Sequence, residues 1–358
     1  MIRNGTKTEK KWRAGILGAT GVVGQRLVQL LADHPWFEVT EVAASERSAG
    51  KKYREAAQWR LETPVPERVG ELVVKEVAPK LECDFVFSAL DSSVAGPAEE
   101  EFASAGYPVV SNSRNHRMDG DVPLVIPEVN AGHLAVIAQQ QKRRGVARGF
   151  IVTNPNCSTA GLALALKPIH DAFGIEQVFV VTLQAISGAG HPGVASLDIY
   201  DNVIPFISGE EEKLECEPLK ILGTLANDQF APASIRISAQ CNRVPVIDGH
   251  LECVSLRLSR KASPGEVSKA LQSFRVNARL ESLPSASRHP IIVREECDRP
   301  QSRLDRNAGK GFATVVGRVR PCPLFDVKFV LLSHNLIRGA AGAALLNAEL
   351  LAEQGLLN

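Results

Sequence analysis

A cysteine stands between a predicted strand and a predicted helix in the segment Thr153-Asn-Pro-Asn-Cys157-Ser158-Thr. Residues 149–153 are mostly apolar and predict a buried strand, whereas the Ala- and Leu-rich run from Ser158 predicts a helix. Cys157 would lie at the helix start, where unpaired backbone N–H groups and the positive end of the helix dipole stabilise a thiolate. Because the thiolate is the reactive form, this position favours a covalent nucleophile. A buried cysteine that acts only as a small apolar side chain is the alternative.

A glycine-rich loop, Gly18-Ala-Thr-Gly21-Val-Val-Gly24, follows a predicted strand over residues 13–17 and opens a predicted helix over 22–33. Glycines let the backbone approach a pyrophosphate, whose charge is favourable at a helix N-terminus. The spacing only approximates the usual dinucleotide fingerprint, and an ordinary turn is the alternative. The order strand, loop, helix, strand favours dinucleotide binding.

The end of the second predicted strand, Ala44-Ser45-Glu46-Arg47-Ser48, indicates which nucleotide would bind. An NAD site usually has an acidic residue here, which holds the ribose 2′-OH. A cation between two hydroxyls suits a 2′-phosphate instead, so Arg47 favours NADP. Glu46 could still reach a ribose if Arg47 points away, and a solvated surface loop is the other interpretation.

The composition limits the class of ligand. The 41 basic and 40 acidic residues give a net charge of +1, so no nucleic acid or membrane partner is predicted and a small molecule is favoured. The seven cysteines include no C-x-x-C pair and no zinc-ligand spacing, so neither a metal site nor a disulfide framework is predicted. A reducing, cytoplasmic location fits this pattern. The polar first residues contain no apolar core of a secretory signal.

The pattern of elements predicts an α/β protein of two domains. Strands and helices alternate up to residue 156, which predicts a Rossmann-like, doubly wound parallel sheet. Beyond it, strands of alternating polarity predict an α+β domain with a largely antiparallel sheet. We expect residues 1–156 and 337–358 to form the first domain, with the C-terminal helix returning to it, and residues 157–336 to form the second. The small residues that begin at Gly339 permit a close backbone approach.

Two polar segments could complete a site around the cysteine. Gln184 ends a predicted strand and is followed by the loop Ser187-Gly188-Ala-Gly-His191, which is either a ring-binding surface or a long turn. Arg243 and His250 flank an Asp-Gly turn. A histidine can exchange the thiol proton, and an arginine can grip a carboxylate with two hydrogen bonds. His191 competes with His250 for the acid/base role.

Two further segments carry charge. Glu210 and Lys213 would share a helix face, although a solvated helix start is the favoured interpretation from the residues alone. Arg114 and Arg117 follow a predicted parallel strand, where an arginine can hold an anion in the crevice or be exposed.

These motifs, in this order, resemble the aspartate-semialdehyde dehydrogenase family in its archaeal and fungal branch. The resemblance spans about residues 14–354 and includes the glycine loop, Asn-Pro-Asn-Cys157, Ser-Gly-Ala-Gly, Arg243 with His250, and Asn335-Leu-x-Arg-Gly-Ala-Ala. It implies reversible conversion of aspartate semialdehyde, phosphate and NADP to aspartyl phosphate and NADPH, a step of aspartate-family amino-acid biosynthesis. It further implies a homodimer or homotetramer, whose second domain carries catalysis and dimerisation.

The resemblance also implies roles for individual residues. Cys157 would be the nucleophile, His250 the acid/base, and Gln184 would orient the thioester. Arg243 would bind the α-carboxylate of the substrate, and Glu210 would pair with its ammonium group. Lys213 and Arg117 would hold the phosphate. Asn156 would contact the substrate beside the nucleophile. The cofactor site would be lined by Gly18, Thr20, Gly21, Val22, Val23, Ser45, Arg47, Ser48, Ser187, Gly188 and Asn335. No metal is implied.

Other assignments stay open on the sequence. An NADP-linked malonyl-CoA reductase or an N-acetylglutamyl-phosphate reductase would use the same cysteine and histidine, and only Glu210 favours a substrate with a free amino group. A non-catalytic NADP-binding sensor would keep the glycine loop. Such a sensor has no use for a helix-start cysteine paired with a histidine.

Overall fold

The computed structural model describes residues 11–357, and the first half of the chain forms a five-stranded parallel sheet with the order β2-β1-β3-β4-β5. Its strands are β1 (Trp12–Leu17), β2 (Phe37–Ala43), β3 (Phe85–Ser88), β4 (Pro108–Ser111) and β5 (Phe150–Thr153). The helices between them are α1 (Val22–Leu31), α2 (Tyr53–Ala56), α3 (Glu67–Gly70), α4 (Ser92–Ser104), α5 (Pro127–Asn130) and α6 (Ile137–Arg144). The predicted α/β fold is confirmed.

Both faces of this sheet are buried. Ile16 belongs to the apolar core on one side, and the next residue, Leu17, belongs to the core on the other side. Strands that are buried on both faces consist of continuous apolar runs, as β3 and β5 do. The C-terminal helix α13 (Gly342–Glu353) packs into the core on the Ile16 side through its leucines.

The second half of the chain forms a six-stranded sheet with the order β11-β12-β13-β10-β6-β9 and a small β7–β8 hairpin. The strands are β6 (Ile175–Gln184), β7 (Thr224–Ala226), β8 (Gln229–Ala231), β9 (Arg236–Arg243), β10 (His250–Leu258), β11 (Ile291–Arg294), β12 (Thr314–Pro321) and β13 (Val327–Ser333). The remaining helices are α7 (Cys157–Phe173), α8 (Ser196–Ile199), α9 (Glu210–Ile221), α10 (Pro264–Ser273), α11 (Ala278–Glu281) and α12 (Ser302–Asp305). The inner pairings are antiparallel and the two edge strands pair in parallel, so the sheet is mixed and largely antiparallel, as predicted.

The edge strand β9 is not predicted from the sequence. Its residues, Arg-Ile-Ser-Ala-Gln-Cys-Asn-Arg, contain few of the branched and aromatic side chains that favour strands. It forms because it pairs in parallel with β6, in a register that sets Arg243 opposite Gln184. Tertiary pairing therefore brings two predicted site residues to the same end of neighbouring strands.

No helix within residues 11–357 is long and apolar enough to span a bilayer. The first ten residues, in which no secretory signal is predicted, lie outside the described residues.

A buried ion pair joins the segment before α13 to the parallel-sheet half. Arg338 donates from Nη1 and Nη2 to the two carboxylate oxygens of Glu128, at 2.7 and 3.0 Å. Both side chains are at most 3% exposed. Because water cannot replace the lost partner of a buried charge, the fold depends on both members of the pair.

We expect Glu128→Ala to lower the free energy of unfolding by about 3–5 kcal/mol, since Arg338 would keep an unpaired buried charge. The control is Asp171→Ala, which breaks the ion pair of Lys167 and Asp171 on α7, both of whose side chains are far more exposed. It should lower the free energy of unfolding by less than about 1 kcal/mol. Urea unfolding of both variants measures the difference. Equal losses would contradict the importance of the buried pair.

Candidate active site

A cleft of about 300 Å³ lies at the carboxyl ends of β1, β3, β4 and β5, facing the end of β6. Crevices at this edge of a parallel sheet are where α/β proteins bind ligands. The cleft brings together most of the predicted site residues. Those in its lining are Val22, Val23, Arg117, Asn156, Cys157, Gln184, Ser187, Gly188, Glu210, Lys213, Arg243 and Asn335.

Cys157 contacts His250 in this cleft. The cysteine is the first residue of α7, and its Sγ lies 3.2 Å from Nε2 of His250, which begins β10 and is fully buried. The backbone N–H of Ala185 donates to Nδ1 of the same ring at 3.0 Å. A neutral imidazole with Nδ1 as acceptor carries its proton on Nε2. His250 therefore directs an N–H toward the sulfur.

The protonation of this pair differs from the sequence expectation. Burial raises the pKa of the Cys157 thiol to about 12. Burial, together with the nearby Arg243, lowers the pKa of His250 to about 3. The expected thiolate at the helix start is wrong for the protein alone, because burial and the nearby Glu210 raise the pKa of the thiol by more than Arg243, Arg117 and Lys213 lower it. The site holds a neutral thiol beside a neutral imidazole.

Glu210 is the centre of a polar cluster beside the nucleophile. It accepts hydrogen bonds from Lys213 Nζ at 2.7 Å, Asn156 Nδ2 at 3.0 Å and Gln184 Nε2 at 3.2 Å. Burial would raise the pKa of Glu210, but Lys213 and the hydrogen bonds outweigh it, so the pKa lies below its ordinary value. Glu210 stays a carboxylate, and can pair with a cationic group in the cleft.

Arg243 provides a cation near the cysteine. Its Nη1 donates to the carbonyl of Ala185 at 2.8 Å, and the side chain is only 6% exposed. A Cβ at Gly188 would lie 2.9 Å from that Nη1, so the glycine makes room for the guanidinium. The arginine is held in place and is suited to grip an anionic group.

Arg117 is buried, whereas Arg114 is exposed, and both line the cleft. Nη1 of Arg117 donates to Glu217 at 2.9 Å, and Nη2 donates to the carbonyl of Asn112 at 2.7 Å. Sequence reasoning missed Glu217. The signal that could have found it is its spacing of seven residues from Glu210, which places both carboxylates on one face of α9.

The glycine loop has the geometry of a phosphate-binding turn. Gly18, Thr20 and Gly21 connect β1 to α1, and at Gly18, with a φ of +75°, a Cβ would lie 2.5 Å from the carbonyl oxygen of Ala89. A Cβ at Gly24 would lie 2.3 Å from the Gly18 oxygen, so glycine permits the close packing of helix on loop. No side chain caps α1, and its first turn has no acidic residue. These observations fit an anionic pyrophosphate at the helix start.

A second depression, of about 390 Å³, adjoins the cleft at Leu90. Its walls include Val77 and Val94, and its polar lining comes from Ser45, Glu46 and Glu76. Arg47 and Ser48 are not in this lining, and the Arg47 side chain is exposed beside it. Glu46, which the sequence offers as an alternative to Arg47 for contacting the ribose, therefore lines the depression.

Asn335 fixes the turn that follows β6. Its Nδ2 donates to Ser187 Oγ at 2.8 Å, and its Oδ1 accepts the N–H of Gly249, also at 2.8 Å. His191, in the same loop as Ser187, is exposed and is not in the cleft lining. The histidine that contacts the sulfur is His250.

Gly339 packs against the nucleophile. It lies in the π-helical turn Ile337–Ala341, and a Cβ there would be 2.7 Å from both Cα and Cβ of Cys157. The small residues before α13 therefore allow the backbone to approach Cys157 itself.

Comparison with known proteins places the chain among dehydrogenases. Residues 13–137 match the family model of the semialdehyde dehydrogenase NAD-binding domain, and residues 166–338 match that of the semialdehyde dehydrogenase dimerisation domain. The aspartate-semialdehyde dehydrogenase of Archaeoglobus fulgidus is 50% identical over 348 residues, which are 97% of this chain and 100% of the relative. That of Cryptococcus neoformans is 48% identical over 357 residues, covering 96% and 98% of the two chains. A crystal structure of the Candida albicans enzyme with NADP has a TM-score of 0.89 and 47% identity, over 97% of this chain and 100% of that chain.

We expect Gly339→Ala to lower the free energy of unfolding by about 1–3 kcal/mol, because the added methyl group has no room beside Cys157. Gly132→Ala is the matched control, since its added methyl would meet no atom within 4 Å. Chemical denaturation of the two variants measures the effect. If Gly339→Ala is as stable as Gly132→Ala, the close packing described here is not real.

Proposed function

Because the chain belongs to the aspartate-semialdehyde dehydrogenase family, we propose that it interconverts L-aspartate 4-semialdehyde and L-aspartyl 4-phosphate through a thioester on Cys157, with NADP as cofactor. The observation that carries this proposal is the 3.2 Å contact between Cys157 Sγ and His250 Nε2 in a charged cleft. The reaction is a step in the biosynthesis of lysine, threonine, methionine and isoleucine.

The charges of the cleft complement those of the proposed substrates. Arg243 would clamp the α-carboxylate, and Glu210, which stays ionised, would pair with the ammonium group. Lys213 and Arg117 would hold the phosphate. A ligand with anionic groups and one ammonium group is complemented by several cationic side chains and one carboxylate, as the cleft provides. Asn156 and Gln184, both hydrogen-bonded to Glu210, would fix the acyl group beside the sulfur.

In the oxidative direction, a C–S bond to Cys157 first forms and later breaks. The Cys157 thiol loses its proton to solvent, and its sulfur adds to the aldehyde carbon and forms a C–S bond, while the carbonyl oxygen gains the negative charge. Bound NADP would supply the hydride acceptor for that carbon, and loss of the hydride would leave a thioester on Cys157. A phosphate oxygen then attacks the acyl carbon, the C–S bond breaks, and the sulfur leaves with the electron pair. The reverse sequence reduces aspartyl phosphate.

His250 stabilises the developing negative charge in this scheme. Its Nε2–H lies within reach of the sulfur and would donate to whichever atom, sulfur or carbonyl oxygen, becomes negative. The Ala185 N–H on Nδ1 keeps the ring in this tautomer. Because Nε2 already carries a hydrogen and Nδ1 accepts from Ala185, the neutral ring stabilises the negative charge by hydrogen bonding, and the thiol proton leaves to solvent.

NADP would be held by the chain's own loops. The α1 start, with Gly18, Thr20, Gly21, Val22 and Val23, suits the pyrophosphate. Ser187, Gly188 and Asn335 would border the nicotinamide, and the apolar depression beside Ser45 suits the adenosine end. We propose that Arg47 and Ser48 reach the 2′-phosphate from the rim.

The alternative substrates are not favoured. The curated relatives at about 50% identity carry the aspartate-semialdehyde name, and neither malonyl-CoA nor the N-acetylglutamyl group has a free ammonium for Glu210. The Cys157–His250 contact has no purpose in a non-catalytic sensor. A substrate panel of aspartate semialdehyde with phosphate, malonyl-CoA, and N-acetylglutamyl phosphate, each with NADP(H) and NAD(H), tests the assignment directly.

We also propose that the protein is a cytoplasmic homodimer or homotetramer. The match to a dimerisation domain supports an oligomer. So does the face of the six-stranded sheet that its helices leave open, where Phe179, Val181 and Leu183 are half-buried. The proposed division is a cofactor domain of residues 1–156 and 337–358 and a catalytic and dimerisation domain of residues 157–336.

Cys157→Ala should reduce turnover by more than about 10³-fold, because no other group can form the thioester. The dissociation constant of NADP should change by less than about twofold, since the sulfur contributes nothing to the loop that holds the nucleotide. Cys297→Ala removes an exposed cysteine and is the control. Activity with aspartate semialdehyde and fluorescence titration with NADP measure both quantities, and retained turnover would refute the nucleophile.

Arg47→Glu should weaken NADP by about tenfold or more and NAD much less, because only NADP carries the 2′-phosphate that pairs with the guanidinium. Glu46→Gln is the neighbouring control and should not weaken NADP. Titration with both nucleotides decides the matter. An equal loss for NADP and NAD would show that Arg47 does not read the phosphate.

A further inference from the structure

Helix α9 carries a stripe of charged residues on one face, and the first two of them line the cleft. Glu210, Lys213, Glu217 and Lys220 follow one another at spacings of three and four residues and so share one face. Glu210, Glu217 and Lys220 are each at most 7% exposed. The first two of the four belong to the proposed substrate site, and the last two have no assigned role.

Glu217 joins two parts of the site that come from different strands. Its Oε1 accepts from Arg117 Nη1 at 2.9 Å, and its Oε2 accepts the backbone N–H of Asn156 at 2.7 Å. Arg117 follows β4, and Asn156 follows β5 and directly precedes the nucleophile. One carboxylate therefore connects an anion-binding side chain to the backbone that carries Cys157.

Lys220, about one turn after Glu217 on α9, also bonds to the loop that contains Arg117. Its Nζ donates to the backbone carbonyls of Arg117, Asp119 and Val122 at 2.7–2.8 Å. This holds the loop of Arg117 against the helix. The guanidinium and its loop thus have no freedom to move independently of α9.

We propose that Glu217 is a positioning residue that keeps the phosphate held by Arg117 in register with the acyl group on Cys157. The inference rests on the proposed function, because it concerns the step in which phosphate attacks the thioester. Attack requires the phosphate oxygen and the acyl carbon to be held at a defined separation. Within residues 11–357 no hydrogen bond joins Arg117 directly to Asn156, and Glu217 bridges them.

Glu217→Gln is the informative change, because it keeps the shape and breaks the bridge. Both partners of Glu217 are hydrogen-bond donors, and a glutamine has one acceptor oxygen and one donor amide. It can satisfy either Arg117 or Asn156, and it presents a donor to the other. Glu212→Gln is the matched control, since it removes the same charge from an exposed position on the same helix.

Two steps are measured separately with aspartate semialdehyde. Without phosphate, rapid mixing with NADP gives a burst of NADPH as Cys157 is acylated. With phosphate, steady-state rates give kcat/KM for phosphate. We expect Glu217→Gln to lower kcat/KM for phosphate by about tenfold or more, the effect of one lost charge-assisted hydrogen bond. The burst rate should change by less than about threefold, and Glu212→Gln should change neither quantity.

The proposal is overturned if Glu217→Gln leaves kcat/KM for phosphate unchanged, or if it lowers the burst rate and the phosphate step equally, which a merely structural role would do. If Glu217→Gln does not fold, Glu217→Asp takes its place. That variant keeps the charge but is too short to reach both partners, and the same selective loss of the phosphate step is expected.

A readout without turnover separates this inference from the proposed function. Inorganic phosphate should slow the alkylation of Cys157 by iodoacetate, followed by peptide mass spectrometry. Glu217→Gln should require about tenfold more phosphate for the same protection. If the wild-type protein does not turn over aspartate semialdehyde, but Glu217→Gln still raises the phosphate concentration needed for protection, the proposed substrate is wrong and the role of Glu217 stands. An unchanged protection curve overturns the role of Glu217.

Discussion

Asn156, which caps α7 and precedes the nucleophile, is held through three of its own groups. Its own Oδ1 caps the helix, its Nδ2 is held by Glu210, and its backbone N–H is held by Glu217. Cys157 therefore has little freedom, although it lies at a strand-to-helix junction. The sulfur meets His250, which arrives on a strand of the other sheet, only because this junction is fixed. The packing of Gly339 against the same backbone completes the constraint.

The charges of the site are stable because each buried carboxylate has its own donors. Glu210 is paired with Lys213 and Glu217 with Arg117, so both carboxylates are compensated although nearly all of their surface is buried. Glu252, two residues beyond His250, shows the contrast. Both its oxygens lack a hydrogen-bond partner within the described part of the chain, and burial raises its pKa well above the ordinary value. Glu252 has no donors that offset its burial, whereas the paired carboxylates have them.

Much of the framework could be predicted from local patterns. The helix expected over residues 22–33 occupies Val22–Leu31, and the strand expected over 149–153 occupies Phe150–Thr153. These elements can be predicted because they follow from the periodicity of their own apolar residues and from turn residues at their ends. The strand β9 could not be predicted in this way, because pairing with β6 rather than its own residues makes it a strand. For Glu217 the sequence offered only its spacing of seven residues from Glu210, which places it on the same face of α9 but does not show which groups it bonds.

The sequence by itself determined that a glycine loop follows β1, that a cysteine begins a helix, and that polar residues stand at the ends of several strands. These properties are local, and short-range sterics and hydrogen bonding decide them. Only the tertiary structure decided which histidine meets the sulfur, since Cys157 and His250 are 93 residues apart. It also decided that the thiol and the imidazole are both neutral, because burial outweighs the helix start. Desolvation and charge pairing depend on everything that surrounds a group, and that environment exists only once the chain has folded.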